Sequence, residues 1–287
     1  MVTNILVTGA TGNVGKEIVR LLSDLDYPVT AAVRNPIEAS KSFGNDVRCV
    51  PFDFTNPDTF TDAFAGINKL FLVRPPAIAD ISKITPALNA AKRSGVEEIV
   101  FLSIIGADKN RIVPHYAIER AVEQLNIPAT FLRCSFFMQN FNTTHREDIR
   151  FRDRLFMPAG NGKTSFIDVR DIAAVAVKIL TESKRELPID SAYDLTGATA
   201  LTYSEVASIF TTVLGRPIQY TNPPIPIFIW QMLRQGFPLQ FVLVMVGIYT
   251  TARFGLADLV TSDVPQLLGR SPISIDRYVE DYRECWL

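Results

Sequence analysis

Residues 4–15 read NILVTGATGNVG. The apolar run Ile5-Leu6-Val7 has the pattern of a buried strand. From Val14 the apolar positions Val14, Ile18, Val19, Leu21, Leu22 and Leu25 keep helical spacing. Between them stand Gly9, Gly12 and Gly15. A strand, a glycine turn and a helix in that order form the context in which such glycines hold a dinucleotide. Gly9 permits the sharp turn, Gly12 lets the backbone approach a pyrophosphate, and Gly15 lets the helix pack closely on the strand. The free N–H groups at the helix start, near Asn13 and Val14, then point at the anion, with Thr11 in the same loop. The spacing G-x-x-G-x-x-G is one residue longer than the usual dinucleotide fingerprint. A plain strand-to-helix turn is the competing reading, and the concentration of glycine at this one place weighs against it.

Working outward, short β-type runs alternate with helical patterns. Strands are expected at 29–33, 47–52, 69–73, 97–104 and 129–135, and helices from Asn56-Pro57 and over 80–94, 114–125 and 168–182. Near-continuous apolar strands alternating with helices predict an α/β fold, a doubly wound parallel (Rossmann) sheet covered on both faces. After about residue 140 the pattern loosens, so a smaller, mostly helical C-terminal substrate lobe is expected over the C-terminal edge of the sheet. The expected division is 1–140 for the dinucleotide-binding core and 141–287 for the lobe, with about 166–182 and 192–196 returned to the core. A further helix opens with Thr202 or Ser204, and Glu205 sits three residues after Thr202, as in a capping box.

Composition narrows the function. The 287 residues are 47% apolar and 21% charged, and 29 basic side chains face 30 acidic ones. Without a basic excess, a general nucleic-acid surface is not expected. Cys49, Cys134 and Cys285 are far apart and odd in number, which reads as free thiols in a reducing compartment. With two histidines and no Cys-x-x-Cys, no metal site is expected. The start of the chain lacks a basic flank before a long apolar run, so a cytoplasmic protein without a signal peptide is expected. The apolar stretch 225–249 is broken by Arg234, Gln235, Gly236 and Pro238. Its unbroken part falls short of the ~20 residues of a membrane span, so a buried helix or pocket wall is the better reading.

The end of the second strand, AAVRN at 31–35, carries no acid to accept from a ribose 2′-hydroxyl. Arg34 stands there instead, and a guanidinium suits a 2′-phosphate bidentately. NADP(H) is therefore expected over NAD(H). Asp53 and Phe54, after the third strand, are placed to meet the adenine, with core packing the alternative for Phe54.

Together, ILVTGATGNVG, AAVRNP, FDFTNPDTF, IVFLSIIGA, PATFLRCSFFMQNF, FIDVRDIAAVAVKIL, LTGATALTYSEVASIF and LLGRSPISIDRYVEDY resemble the NmrA-like group of atypical short-chain dehydrogenase/reductases. That group includes quinone and triphenylmethane-dye reductases as well as NADP-sensing regulators. The resemblance implies a pyrophosphate site at Gly9–Gly15, a 2′-phosphate site at Arg34 and adenine contacts at Asp53 and Phe54. It places Val73 and Arg74 by the adenine-side ribose and Ser103 by the nicotinamide ribose. Ser135, Phe136 and Phe137 would run along the nicotinamide. Met138, Asn140, Phe228 and Trp230 are the candidates for a substrate pocket.

Standard members of the wider family use Tyr-x-x-x-Lys, in which the lysine lowers the phenol pKa. The matching segment, PHYAIERAVEQL at 114–125, has Arg120 four residues after Tyr116, and in the NmrA-like register the lysine falls at Glu119. Two readings remain. In one, hydride passes to a small apolar electrophile that needs little acid help, such as a quinone, imine or dye, with His115, Tyr116 and Ser103 the candidate catalytic side chains and water another proton source. In the other, the protein binds NADP without turnover and signals to a regulatory partner. A sugar-nucleotide epimerase is disfavoured by the missing pair. A homodimer is compatible with either reading. Asp168 and Asp171 read as helix-start residues, and Cys134 has no base near it in sequence.

Overall fold

The computed structural model describes residues 3–44, 46–182 and 191–287. In chain order the elements are β1 (Ile5–Thr8), α1 (Asn13–Asp24), β2 (Val29–Val33), α2 (Pro36–Phe43), β3 (Arg48–Pro51), α3 (Phe60–Phe64), β4 (Lys69–Leu72), α4 (Thr85–Arg93), β5 (Glu98–Ile104), α5 (Pro114–Glu123) and β6 (Ala129–Cys134). Next come α6 (Arg146–Arg152), β7 (Arg154–Phe156), β8 (Lys163–Ser165), α7 (Val169–Thr181), β9 (Ser191–Leu195), β10 (Ala200–Thr202), α8 (Tyr203–Leu214) and β11 (Gln219–Thr221). The last helices are α9 (Ile225–Arg234), α10 (Leu239–Arg253), α11 (Asp263–Leu268) and α12 (Ile275–Asp281). The chain forms two compact units, residues 1–134 with 169–195, and residues 135–168 with 196–287.

The first unit is built on a parallel sheet of order β3-β2-β1-β4-β5-β6-β9. Strand order reverses between β1 and β4, the place where doubly wound sheets open a ligand crevice. Every side chain of β1, β2 and β4 is buried, as expected of strands covered on both faces. On one face, α1 packs against α7. On the other, Phe52, Phe60, Phe64, Leu72, Leu88, Phe101, Ile118 and Phe131 share a single core. Helix α2 lies outside the helices expected from sequence. Of its residues only Ala39 is buried, so it lacks an apolar period. Its signal is the cap, since Asn35 accepts the Glu38 N–H at 3.3 Å and Pro36 stands in the first turn.

The second unit is mostly helical, with two-stranded pairings β8–β10 and β7–β11. Phe141, Phe166, Tyr203, Phe210, Phe228, Tyr249, Tyr278 and Trp286 make its aromatic core. Inside that core His145 Nε2 and the Tyr249 hydroxyl are hydrogen-bonded at 2.5 Å. Burial pushes the His145 pKa down to about 4 and the Tyr249 phenol well above its usual value, so at neutral pH this is a bond between uncharged groups. The buried carboxylate of Asp148 accepts from Arg154, Gln231 and Gln235 at 2.9–3.2 Å, tying α6 and β7 to α9. The capping box forms: Thr202 Oγ1 accepts the Glu205 N–H at 3.2 Å and Glu205 accepts the Thr202 N–H at 2.7 Å.

The apolar stretch 225–249 resolves into the start of α10 and all of α9, parted at Gly236, whose φ is +89°, and Pro238. Among the described residues no helix is long and apolar enough to cross a membrane. Helix α10 is apolar on both sides. Val242, Met245 and Tyr249 face inward, while Leu239, Leu243 and Val244 are exposed.

Two glycines make the packing testable. A Cβ on Gly15 would lie 2.2 Å from the Gly9 carbonyl oxygen, whereas one on Gly247, inside α10, meets nothing within 4 Å. Gly15→Ala is expected to lower unfolding free energy by about 1–3 kcal/mol through forced backbone displacement. Gly247→Ala should raise it by about 0.5–1 kcal/mol through helix propensity. Urea denaturation of both variants checks the contrast, and equal effects would contradict it.

Candidate cofactor site

The site is assembled from the loops and strand ends at one edge of the first unit's sheet. After β1, Gly9 adopts φ +60° and its carbonyl accepts the Gly12 N–H at 2.9 Å. A side chain at Gly9 would press on Val73 at 3.2 Å, and one at Gly12 would meet the Gly9 carbonyl at 3.2 Å. Gly12 caps α1 with extended backbone and no side-chain cap, and the first turn carries no acidic residue. The helical ladder begins with Lys16 N–H on Gly12 O at 3.0 Å. The amides of Asn13, Val14 and Gly15 therefore precede it, at the positive end of a helix the chain leaves uncompensated. Thr11 is exposed in this loop. The Thr8 hydroxyl accepts the Val73 N–H at 2.7 Å and donates to Phe71 O at 3.2 Å. It thereby stitches the end of β1 to the end of β4 where strand order reverses.

After β2, Arg34 is exposed and makes no ion pair among the described residues. After β3, Asp53 Oδ1 accepts the Thr55 N–H at 2.8 Å and the Thr55 hydroxyl at 2.7 Å. Those bonds hold its carboxyl below the usual range, and the charge of Arg34 acts in the same direction. Arg34 and Asp53 thus share one corner of the site. For Phe54 the core-packing alternative holds. Phe54 is 5% exposed and sits edge-on to Phe52 at 4.8 Å, so its ring belongs to the core rather than to an adenine surface.

After β4, Val73 lies against Gly9. The Arg74 side chain turns instead onto its own following turn, donating from Nη1 to the carbonyls of Pro75, Pro76 and Ile78 at 3.0, 3.1 and 2.8 Å. Its Nε is buried without a partner. On β5, the Ser103 hydroxyl is buried and donates to Glu119 at 2.6 Å. Glu119 is 0% exposed and is gripped by Arg133 from β6, Nε to Oε1 at 3.1 Å and Nη2 to Oε2 at 2.8 Å. Arg133 also reaches Asp108 at 3.6 Å. The hydrogen bonds that Arg133 donates to Glu119, and that carboxylate's charge, raise the Arg133 pKa against the effect of burial.

Sequence patterning does not predict this buried pair. Its only signals there are an arginine inside the apolar strand ATFLRC and an acid at the lysine position of the helix. The partners of Glu119 lie 16 and 14 residues away in sequence, so no local pattern joins them.

His115, in the first turn of α5, stacks on Phe101 with ring centroids 6.0 Å apart and leaves Nδ1 buried and unpartnered. Burial, helped by the charge of Arg74, pushes its pKa down to about 4. At pH 7 only about one molecule in a thousand carries the imidazolium, so His115 is no ready acid. Tyr116 lines a groove between α4 and α5 with Thr85, Asn89 and Arg120. Its ring has the guanidiniums of Arg111 and Arg120 at 6.0 and 5.7 Å. Burial pushes the Cys134 thiol up, which removes it as a nucleophile.

The remaining expected positions lie in the second unit. Ser135 has a buried hydroxyl with no partner, an open position for a ligand hydrogen bond. Phe136 is half-buried against Phe166 and Tyr249, and Phe137 pairs with Ile167. Asn140 is half-buried, but Met138 and Phe228 are core side chains. Phe228 is 0% exposed and lies one helical turn before Met232 on the inward face of α9. Trp230, 57% exposed under the Arg234 guanidinium at 4.8 Å, is on the opposite, outer side. The expectation that Phe228 and Trp230 share a pocket wall is corrected by that helical phase. Among the described residues no cluster of metal-ligating side chains exists.

Known proteins share this outline. The model of the NmrA-like family matches residues 1–257. An NAD(P)H azoreductase of Xenophilus azovorans is 34% identical over 270 residues, 93% of each chain. The triphenylmethane reductase of a Citrobacter species, in its complex with NADP(H), superimposes with a TM-score of 0.84 at 26% identity, covering 97% of this chain and 99% of that one. An NADPH-dependent quinone oxidoreductase of Escherichia coli, complexed with NADPH, has the same fold, with a TM-score of 0.85, 23% identity and coverage of 97% and 99%.

The Glu119–Arg133 pair yields a direct test. Glu119→Leu takes the hydrogen-bonded carboxylate from the partly buried Arg133, which keeps Asp108 at 3.6 Å, and leaves the buried Ser103 hydroxyl without its acceptor. It should cost about 1–3 kcal/mol of unfolding free energy. Glu119→Gln keeps an acceptor for Ser103 and should cost less. Denaturant titration separates the two, and a loss below about 1 kcal/mol for the leucine variant would show the pair to be dispensable.

Proposed function

The chain belongs to the NmrA-like family, and from that membership and the geometry of the first unit we propose an NADP(H)-dependent reductase of a small, flat, apolar electrophile such as a quinone, an imine or a dye. The observation that carries this reading is the cradle at Gly9–Gly15. There, a side chain is barred at Gly15 and disfavoured at Gly9 and Gly12, helix amides open at the switch point, and Arg34, which makes no ion pair among the described residues, stands at the end of the next strand. The residues fit the cofactor. The amides of Asn13, Val14 and Gly15 suit two linked phosphates. Arg34 suits a 2′-phosphate, and Asp53 retains an unbonded carboxylate oxygen for the adenine side. Bound NADPH supplies a hydride.

The chain's own contribution to chemistry is positioning. No Tyr-x-x-x-Lys exists, the lysine position is an acid locked to Arg133, and His115 is neutral at working pH. A carbonyl that needs a strong acid partner is therefore poorly served. A conjugated acceptor, which spreads the incoming electron pair over several atoms, requires mainly proximity and orientation, with the proton coming from water. The likeness to an azoreductase and to a triphenylmethane reductase supports this reading, because azo and triphenylmethane groups are conjugated acceptors.

The test is NADPH oxidation by the purified protein across a panel of quinones, azo dyes and triphenylmethane dyes. At least one acceptor should accelerate it, with NADPH preferred over NADH. Arg34→Ala should shrink that preference by about 10–100-fold, the worth of charge-assisted hydrogen bonds to a phosphate. Tight NADPH binding with no turnover across the panel would replace this reading with a binding-only, regulatory one. Equal use of NADPH and NADH by the unmodified protein would remove the role given to Arg34.

A further inference from the structure

Arg74 is a half-buried cation with no counter-ion among the described residues. All its hydrogen bonds leave from Nη1 to the carbonyls of residues 75, 76 and 78. The guanidinium is thus pinned in place while its Nε–Nη2 edge is used by nothing among the described residues, and Nε is buried without a partner. A desolvated charge left in that state is costly unless a partner arrives.

Leu72, two residues before Arg74, pairs in register with Phe101, the ring on which His115 stacks, and His115 Nδ1 is a second buried nitrogen without a partner. Its ring is fixed by Phe101 at 6.0 Å. The two nitrogens come from the end of β4 and the start of α5, on the side of the sheet that carries α4 and α5. The free edge of a pinned guanidinium is the fork that receives a carboxylate with two parallel hydrogen bonds.

We infer that Arg74 and the neutral imidazole of His115 form a site for an acidic oxygen substituent, a carboxylate or its equivalent, on the substrate. This rests on the reductase reading and deepens it: the preferred electrophile carries an anionic group on its flat apolar body. The same chemistry could be met by a phosphate of the cofactor, and the experiment distinguishes the two.

Isothermal titration of the unmodified protein with naphthalene-2-carboxylate and with its uncharged counterpart naphthalene-2-carboxamide reads the site without turnover. The carboxylate should bind at least tenfold more tightly, with its affinity unchanged in saturating NADP⁺. Arg74→Gln should abolish the preference, and His115→Phe should reduce it. Equal affinities for the two ligands, or no carboxylate binding at millimolar concentration, would overturn the inference without touching the reductase reading. Loss of carboxylate binding in saturating NADP⁺ would overturn it by giving Arg74 to a cofactor phosphate. A failed acceptor panel alongside a retained carboxylate preference would sink the reductase reading and leave the anion site standing.

Discussion

The carbonyl oxygen of Gly9 is the point on which the rest of the first unit turns. It accepts the Gly12 N–H, a Cβ on Gly15 would collide with it at 2.2 Å, and one on Gly12 would press on it at 3.2 Å. The reversal into α1 therefore demands glycine at position 15 and favours it at position 12 for the close approach and at position 9 for its left-handed φ. That single crowded oxygen sets the distance between β1 and α1. It also leaves the first amides of α1 bare and fixes where an anion can approach. The Thr8 bridge to Val73 carries the same constraint across to β4, so the ends of the two central strands form one rigid rim.

Around that rim the charges are arranged unequally. Glu119 and Arg133 neutralise each other in the interior, and Ser103 is drawn into their bond. Among the described residues neither Arg34 nor Arg74 makes an ion pair; Arg34 is exposed near Asp53 and Arg74 is half-buried. A protein that replaces the usual lysine by a buried acid loses the means to activate a phenol. It keeps two cations that can receive anionic groups. Binding and orientation are thereby favoured over acid catalysis, which matches acceptors whose own conjugation carries the electron pair.

Much of this is legible in the residues. The glycine spacing, the doubly apolar strands and the capping box at Thr202 and Glu205 are local patterns with one cheap physical solution, and they form as read. The features that escape the sequence are of two kinds. Helix α2 buries one side chain, so its period is silent and only Asn35-Pro36 announces it. The others depend on facing. Which of its two readings Phe54 takes is left open, and Phe228 and Trp230 sit on opposite sides of α9, because the rotation of a helix or strand end is set by tertiary packing. An aromatic-rich stretch shows that something apolar is covered, without showing which ring covers it. The Glu119–Arg133 bond joins a helix to a strand and has no local signature at all.

The most direct measurement is amide hydrogen exchange at Gly12–Gly15 with and without NADPH. The amides of Asn13, Val14 and Gly15, which have no partner in the helical ladder, are expected to become protected when NADPH is added at saturation. Unchanged exchange at those amides, with NADPH demonstrably bound, would contradict the claim that the glycine rim holds the phosphates.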